Sequence, residues 1–89
     1  MKTGALHPTV IICPGNGCNN IRQSNWYGQL HKELTKRKIP CVCENFPDPL
    51  NARRDRWIPF IRTLVEKHAT DNHVILVGHS SGSQAALRY

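Results

Sequence analysis

The chain predicts an α/β protein in three layers, a parallel sheet with helices packed on both faces. Short β-branched, apolar runs recur three times, at residues 9–13, 41–46 and 73–77. Two segments with helical spacing of apolar residues separate these runs, and a third opens after the last. Strand, helix, strand, helix, strand, helix is the order in which crossovers make neighbouring strands run parallel, and such crossovers are right-handed.

The first run, "TVIIC", is short, β-branched and apolar, as a buried strand requires. "PGNGCNN" follows, a loop of turn-forming residues. Ser24 or Asn25 is placed to cap a helix reaching to about Lys38, with Trp26, Leu30 and Leu34 four residues apart and Tyr27 widening the same face. Pro40 marks the boundary to a second strand over residues 41–46, in which Cys41 and Cys43 alternate onto one face. The loop "PDPLNARRD" leads to a second helix carrying Trp57, Ile61, Leu64, Val65 and His68 on one side. Asp55 as its cap would put Pro59 in the first turn, where no intrahelical bond is lost. "HVILV" is the third strand, and "GSQAALRY" starts a closing helix at Gly82.

Eighty-nine residues suffice for one small domain with a modest core. Hydrophobic residues make up 39% and charged residues 20%, a composition that folds and does not stay disordered. No apolar run approaches the ~20 residues that cross a bilayer. "MKTGALHPTVIIC" has one lysine and a proline within its apolar stretch, a poor secretory signal. The expected location is the cytoplasm, with the nucleus as a second compartment. Cys13, Cys18, Cys41 and Cys43 have no C-x-x-C spacing and read as reduced, structural thiols, with a disulfide or metal site as the less favoured use. The net charge of +6 is concentrated in "KRK" at 36–38 and "RRDR" at 53–56. Cations suit the end of a helix, and no nucleic-acid-binding motif accompanies them, so they read as a solvated basic face. Neither a cofactor, a metal, a membrane nor a nucleic acid is expected as a partner.

Chemistry concentrates at Gly78-His79-Ser80-Ser81-Gly82, a G-x-S-x-G stretch between an apolar strand and a helix. At such a turn the central serine is forced into a strained conformation and presented above the sheet edge, near a helix N-terminus. Small residues two positions to either side let the chain pass closely. Ser80 is the candidate nucleophile, and the backbone N–H of Ser81 faces the place where an oxyanion would form. His79 adjoins Ser80, but its side chain should diverge at the turn, so it is read as a packing residue. A plain strand-to-helix turn with serine as the cap is the bland alternative.

The loop after the first strand admits two uses. Gly15 and Gly17 begin a dinucleotide fingerprint, but Asn20 stands where its third glycine belongs; Glu44 could still supply a ribose-binding acid. In a hydrolase the same loop lends a second oxyanion N–H, for which Asn16, flanked by the two glycines, is the candidate.

"PGNG" at 14–17, "WYG" at 26–28, "KEL" at 32–34, "NFPDP" at 45–49, "WIPF" at 57–60 and "GHSSG" at 78–82 together resemble the retinoblastoma-binding protein 9 family of small serine hydrolases. The resemblance implies a partial α/β-hydrolase (Rossmann-like) fold, with Ser80 as nucleophile and a small ester or amide as substrate. Residues 1–89 then read as the N-terminal part of a single such domain, truncated after the nucleophile elbow. The family's retinoblastoma contact is attributed to an L-x-C-x-E motif, which neither "LVEKHATDN" nor "CVCEN" matches, so that partner is not carried over.

In α/β-hydrolases the triad runs serine, then acid, then histidine along the chain. After Ser80 comes only "SGSQAALRY", with no Asp, Glu or His. A serine hydroxyl without a base is a poor nucleophile. The chain alone is therefore expected to be inactive; should a base exist within it, His7 or His31 folded across the loop is the candidate. The alternative from another class is a catalytically silent α/β binding module.

Overall fold

The computed structural model describes residues 8–68 and 73–89. Three strands, β1 (Thr9–Cys13), β2 (Cys41–Val42) and β3 (Val74–Gly78), form one parallel sheet in the order β2-β1-β3. The first strand is thus central, the order that the family resemblance implies. Its register runs from Thr9 opposite Val74 to Cys13 opposite Gly78 on one side, and pairs Val10 with Cys41 and Ile11 with Val42 on the other. Three helices flank the sheet: α1 (Tyr27–Lys36), α2 (Arg54–His68) and α3 (Ser81–Arg88).

Alternation along β1 builds two cores. Ile11 and Cys13 point to one face, where they meet Val42, Phe46, Trp57, Ile61, Leu64 and Ala85. Ile12 points to the other, where it meets Cys18, Ile21, Tyr27 and Cys43. The first core holds α2 and α3 and the second holds α1, which gives the three layers. All four cysteines are free. Burial pushes the Cys13 thiol up to about 12, and burial together with its neighbour Cys43 pushes Cys41 up to about 11. No helix among the described residues is long and apolar enough to cross a membrane.

Five elements depart from the sequence reading, among them the closing helix, which begins at Ser81 and not at Gly82. The second strand pairs over two residues and does not reach 46. Beyond Val42 the chain bonds sideways: the Cys43 carbonyl accepts from Arg22 Nε (3.3 Å), and Asn45 Oδ1 accepts the Ile21 N–H (2.7 Å). The first helix begins at Tyr27 after a 3₁₀ turn over Ile21–Gln23, so neither Ser24 nor Asn25 caps it. Ser24 donates its hydroxyl backwards to the Asn20 carbonyl (2.8 Å), and Asn25 takes a left-handed conformation, φ 49°. Of its expected apolar face only Tyr27 is buried; Leu30 and Leu34 are half-buried and Trp26 is exposed. Asp55 lies inside the second helix, which starts at Arg54. Pro59 therefore does cost one intrahelical bond, the one its missing N–H would have given the Asp55 carbonyl. The approach to that helix is fixed by Asp48, whose carboxylate accepts both the Arg53 N–H (3.3 Å) and Arg53 Nε (2.8 Å). That contact holds the Asp48 carboxyl below the usual carboxylate range. The last strand begins at Val74, one residue later than expected, while the His73 carbonyl still accepts the Thr9 N–H (2.9 Å).

Candidate active site

The turn from β3 into α3 is held from both sides. His79 donates its N–H to the Cys13 carbonyl (3.0 Å), extending the pairing with β1 by one step. Ser80 then adopts φ 57° and ψ −119°, and α3 opens with Ser81. A non-glycine residue at positive φ costs about 1–3 kcal/mol and persists only when its surroundings over-determine it. Here Ser83 and Gln84 donate to the Ser80 carbonyl at 2.9 and 3.3 Å, and Gly82 donates to that of His79 at 2.9 Å. The two glycines permit the close pass. A Cβ on Gly78 would come within 2.6 Å of Ser83 Cα, and one on Gly82 would collide with the carbonyls of Cys13 and Pro14. Ser80 is exposed at the tip of this turn. Ser81, as the first residue of α3, has an N–H without an intrahelical partner.

The 14–17 loop lies directly against it. A Cβ on Gly15 would sit 3.5 Å from Ser80 Cβ and 3.5 Å from His79 Nδ1. That is ordinary contact, so glycine at 15 is not demanded by space; Gly17, at φ 83°, is the position that favours glycine. Three residues of the loop have anchors. Gly15 donates its N–H to the Tyr27 hydroxyl (2.9 Å), Asn16 Oδ1 accepts from the Ser81 hydroxyl (3.1 Å), and Gly17 donates to the Pro49 carbonyl (2.6 Å). Pro47, two residues earlier, accepts the Trp57 indole N–H at 2.6 Å. Phe46 packs edge-on against Trp57 and Phe60. The "PGNG", "NFPDP" and "WIPF" stretches are therefore one connected support beneath the turn.

Between the loop and the turn is a hollow of about 170 Å³, walled by residues 15–18, Ser24, Asn25, Tyr27, His79 and Ser80. The sequence-derived candidates Gly15, Asn16, Gly17, His79 and Ser80 all line it. Its lining carries no carboxylate. The imidazole of His79 is engaged by Tyr27, with Nδ1 2.6 Å from the hydroxyl, and meets the Trp26 ring edge-on at 5.7 Å. His31 is elsewhere, in a hollow of about 610 Å³ with Arg22 and the outer face of α1. Burial and the Arg22 charge hold its imidazole below the ordinary value. His7 lies outside the described residues. Glu44 faces His68 at 3.2 Å and does not border the glycine loop, which leaves a nucleotide ribose without its acid there.

Tyr27 is the residue whose role the sequence reading missed. Its periodicity assigns it to the apolar face of α1, and it is fully buried. The available signal is chemical: a buried tyrosine hydroxyl needs a hydrogen-bond partner.

No family model matches the chain. The serine hydrolase RBBP9 of Rattus norvegicus is 44% identical to it over 82 residues, covering 89% of this chain and 41% of that protein. The chain spans about two fifths of the length of the curated relative it matches.

Proposed function

The chain is kin to a serine hydrolase along nearly all of its own length, and from that premise we propose that Ser80 is the nucleophile of acyl transfer from a small ester or amide. The observation that supports this most is the Ser80 backbone, strained at φ 57° on a strand-to-helix turn and exposed beside the glycine loop. A central β1, with that turn at the end of the neighbouring β3, supports reading residues 1–89 as the N-terminal part of an α/β-hydrolase domain.

In the proposed reaction Ser80 Oγ bonds to the substrate carbonyl carbon while its proton passes to a base. The backbone N–H groups of Ser81 and Asn16 take the oxyanion, which is where preorganised donors contribute most. Collapse of the tetrahedral species breaks the bond to the leaving group, which carries off the proton. Water then repeats the sequence on the acyl-serine and restores Ser80. Neither a metal nor a cofactor enters these steps. The base and its supporting acid are proposed to come from sequence beyond these 89 residues, because His79 is held by Tyr27 and His31 faces another hollow.

A chimera tests the nucleophile. This chain replaces the matching segment of the rat serine hydrolase, and the product is treated with a fluorophosphonate probe. Labelling that disappears with Ser80→Ala is the expected result. A folded chimera left unlabelled, beside a labelled rat parent, would overturn the assignment and favour a silent binding module. Met1–Tyr89 alone should label no more than its Ser80→Ala variant; strong Ser80-dependent labelling there would place a base within the chain.

A further inference from the structure

We propose that Tyr27 and His79 form a clamp that positions the glycine loop beside Ser80, Tyr27 donating its hydroxyl proton to His79 Nδ1 while accepting the Gly15 N–H. The inference rests on the Ser80 reading for its purpose but not for its geometry.

The hydrogen-bond inventory fixes the direction. Gly15 N–H can only donate, so at 2.9 Å it occupies a lone pair of the Tyr27 oxygen. Tyr27 is fully buried, and its one hydroxyl proton needs an acceptor within reach. The group at 2.6 Å is His79 Nδ1, a separation typical of a strong hydrogen bond from a hydroxyl. Were Nδ1 protonated instead, the imidazole would donate to Tyr27 and the buried hydroxyl proton would lose this acceptor. Neutral His79 is thereby held as the Nε2–H tautomer. Three stretches far apart in sequence meet at that one oxygen: the end of β1 through Gly15, the start of α1 through Tyr27, and the turn itself through His79.

The clamp acts on Ser80 through its neighbours. His79 is one residue before Ser80, and its carbonyl also takes the Gly82 N–H at the start of α3. Gly15 is one residue before Asn16, whose side chain accepts from Ser81. Tyr27 thus couples the two segments from which the proposed oxyanion donors come. Tyr27 and His79 are positioning residues; neither is assigned contact with substrate.

The decisive measurement is the imidazole tautomer. Long-range ¹H–¹⁵N spectra of the Met1–Tyr89 chain, labelled at histidine, should show neutral His79 with a protonated Nε2 and a bare, hydrogen-bonded Nδ1. Tyr27→Phe keeps the ring and removes the hydroxyl. It should release that tautomer bias, shift the Gly15 amide resonance and speed Gly15 exchange roughly fivefold to tenfold, the share of one hydrogen bond. An Nδ1–H tautomer in the unsubstituted chain, an averaged imidazole, or a Gly15 amide indifferent to Tyr27→Phe would each overturn the clamp. The tautomer needs no variant, so a Tyr27→Phe chain that fails to fold leaves the test standing. In the rat chimera, Tyr27→Phe should slow fluorophosphonate labelling by a similar factor. If the chimera never labels, the Ser80 reading falls, and the resonances still decide the clamp.

Discussion

β1 and β3 are alike on paper: five residues each, "TVIIC" and "VILVG", both aliphatic and mostly β-branched. Their fates differ. Every residue of β1 is buried, whereas none of β3 is, and Ile75 is 47% exposed against 0% for Ile11. The cause is position in the sheet. β1 has a strand on each side and a helical layer on each face, while among the described residues β3 has a strand on one side only. Hydrophobicity nominates a strand; its neighbours decide how much of it leaves water. The exposed strand is also the one that carries Ser80, so the proposed chemistry sits at the end of the less protected element.

The largest expected effect tests that contrast directly. Ile11→Ala should cost about 2–5 kcal/mol, as removal of a buried aliphatic side chain does. Ile75→Ala should cost about 1 kcal/mol or less, in the range of partly exposed positions. Urea unfolding midpoints of the two variants decide it. Equal losses would mean that β3 is covered in solution by something the isolated chain does not show.

The ends of the same two strands make a second contrast. Gly82→Ala drives a methyl into the Cys13 and Pro14 carbonyls and should cost about 1–3 kcal/mol, the usual price of overpacking. Gly15→Ala meets only ordinary contacts and should stay within about 0.5 kcal/mol. Thermal midpoints of the two alanine variants check this. A Gly15→Ala loss as large as that of Gly82→Ala would break the account of the loop as merely adjacent to the turn.

Alkaline pH separates the strands again, since β1 ends in a buried thiol and β3 ends in glycine. Cys13 is pushed up to about 12 by burial, while an unfolded thiol ionises near 8.5. The raised value means that stability is complete below the unfolded value. It is lost as pH rises from there toward 12, because only the unfolded chain gains the charge freely. Unfolding midpoints should therefore fall above about pH 8.5, and Cys13→Ala should reduce that slope while lowering stability at neutral pH. A slope unchanged by Cys13→Ala would assign it to other groups.

Much of this contrast was legible in the sequence. The parallel pairing and the turn at Ser80 follow from apolar runs, crossover lengths and one glycine-flanked serine; the central place of β1 followed only from the family resemblance. What escaped was lateral bonding. "CVCENF" looks like a six-residue strand because its side chains alternate correctly, but Cys43 and Asn45 spend their polar groups on Arg22 and Ile21. Ser24 looks like a cap, but its hydroxyl turns back to Asn20. Tyr27 looks like core, which it is, yet its hydroxyl joins two loops. Periodicity reports where side chains point and says nothing of which donors and acceptors they pair with.

The smallest effect concerns the turn that delivers the chain into β2, on the sheltered side of β1. Two residues past the end of α1, Lys38 lies in the left-handed region at φ 61°. Lys38 donates its N–H to the Thr35 carbonyl (3.0 Å) and Ile39 to that of Leu34 (2.9 Å), the paired bonds of a helix end that usually takes glycine. Lysine bears a steric cost there that glycine lacks, on the order of 1 kcal/mol. Glycine also loses more entropy on folding, which offsets part of the gain. Lys38→Gly should therefore stabilise the chain by about 0.5–1 kcal/mol. The gain should be read locally as well. Pro40, two residues on, accepts the Val10 N–H (2.8 Å), so amide exchange should slow at Val10 while the outer edge of β3 keeps its rate. Equal slowing at both strands would mean that the sheet opens only as one unit, and the difference between its centre and its edge would then be one of exposure without a difference in local stability.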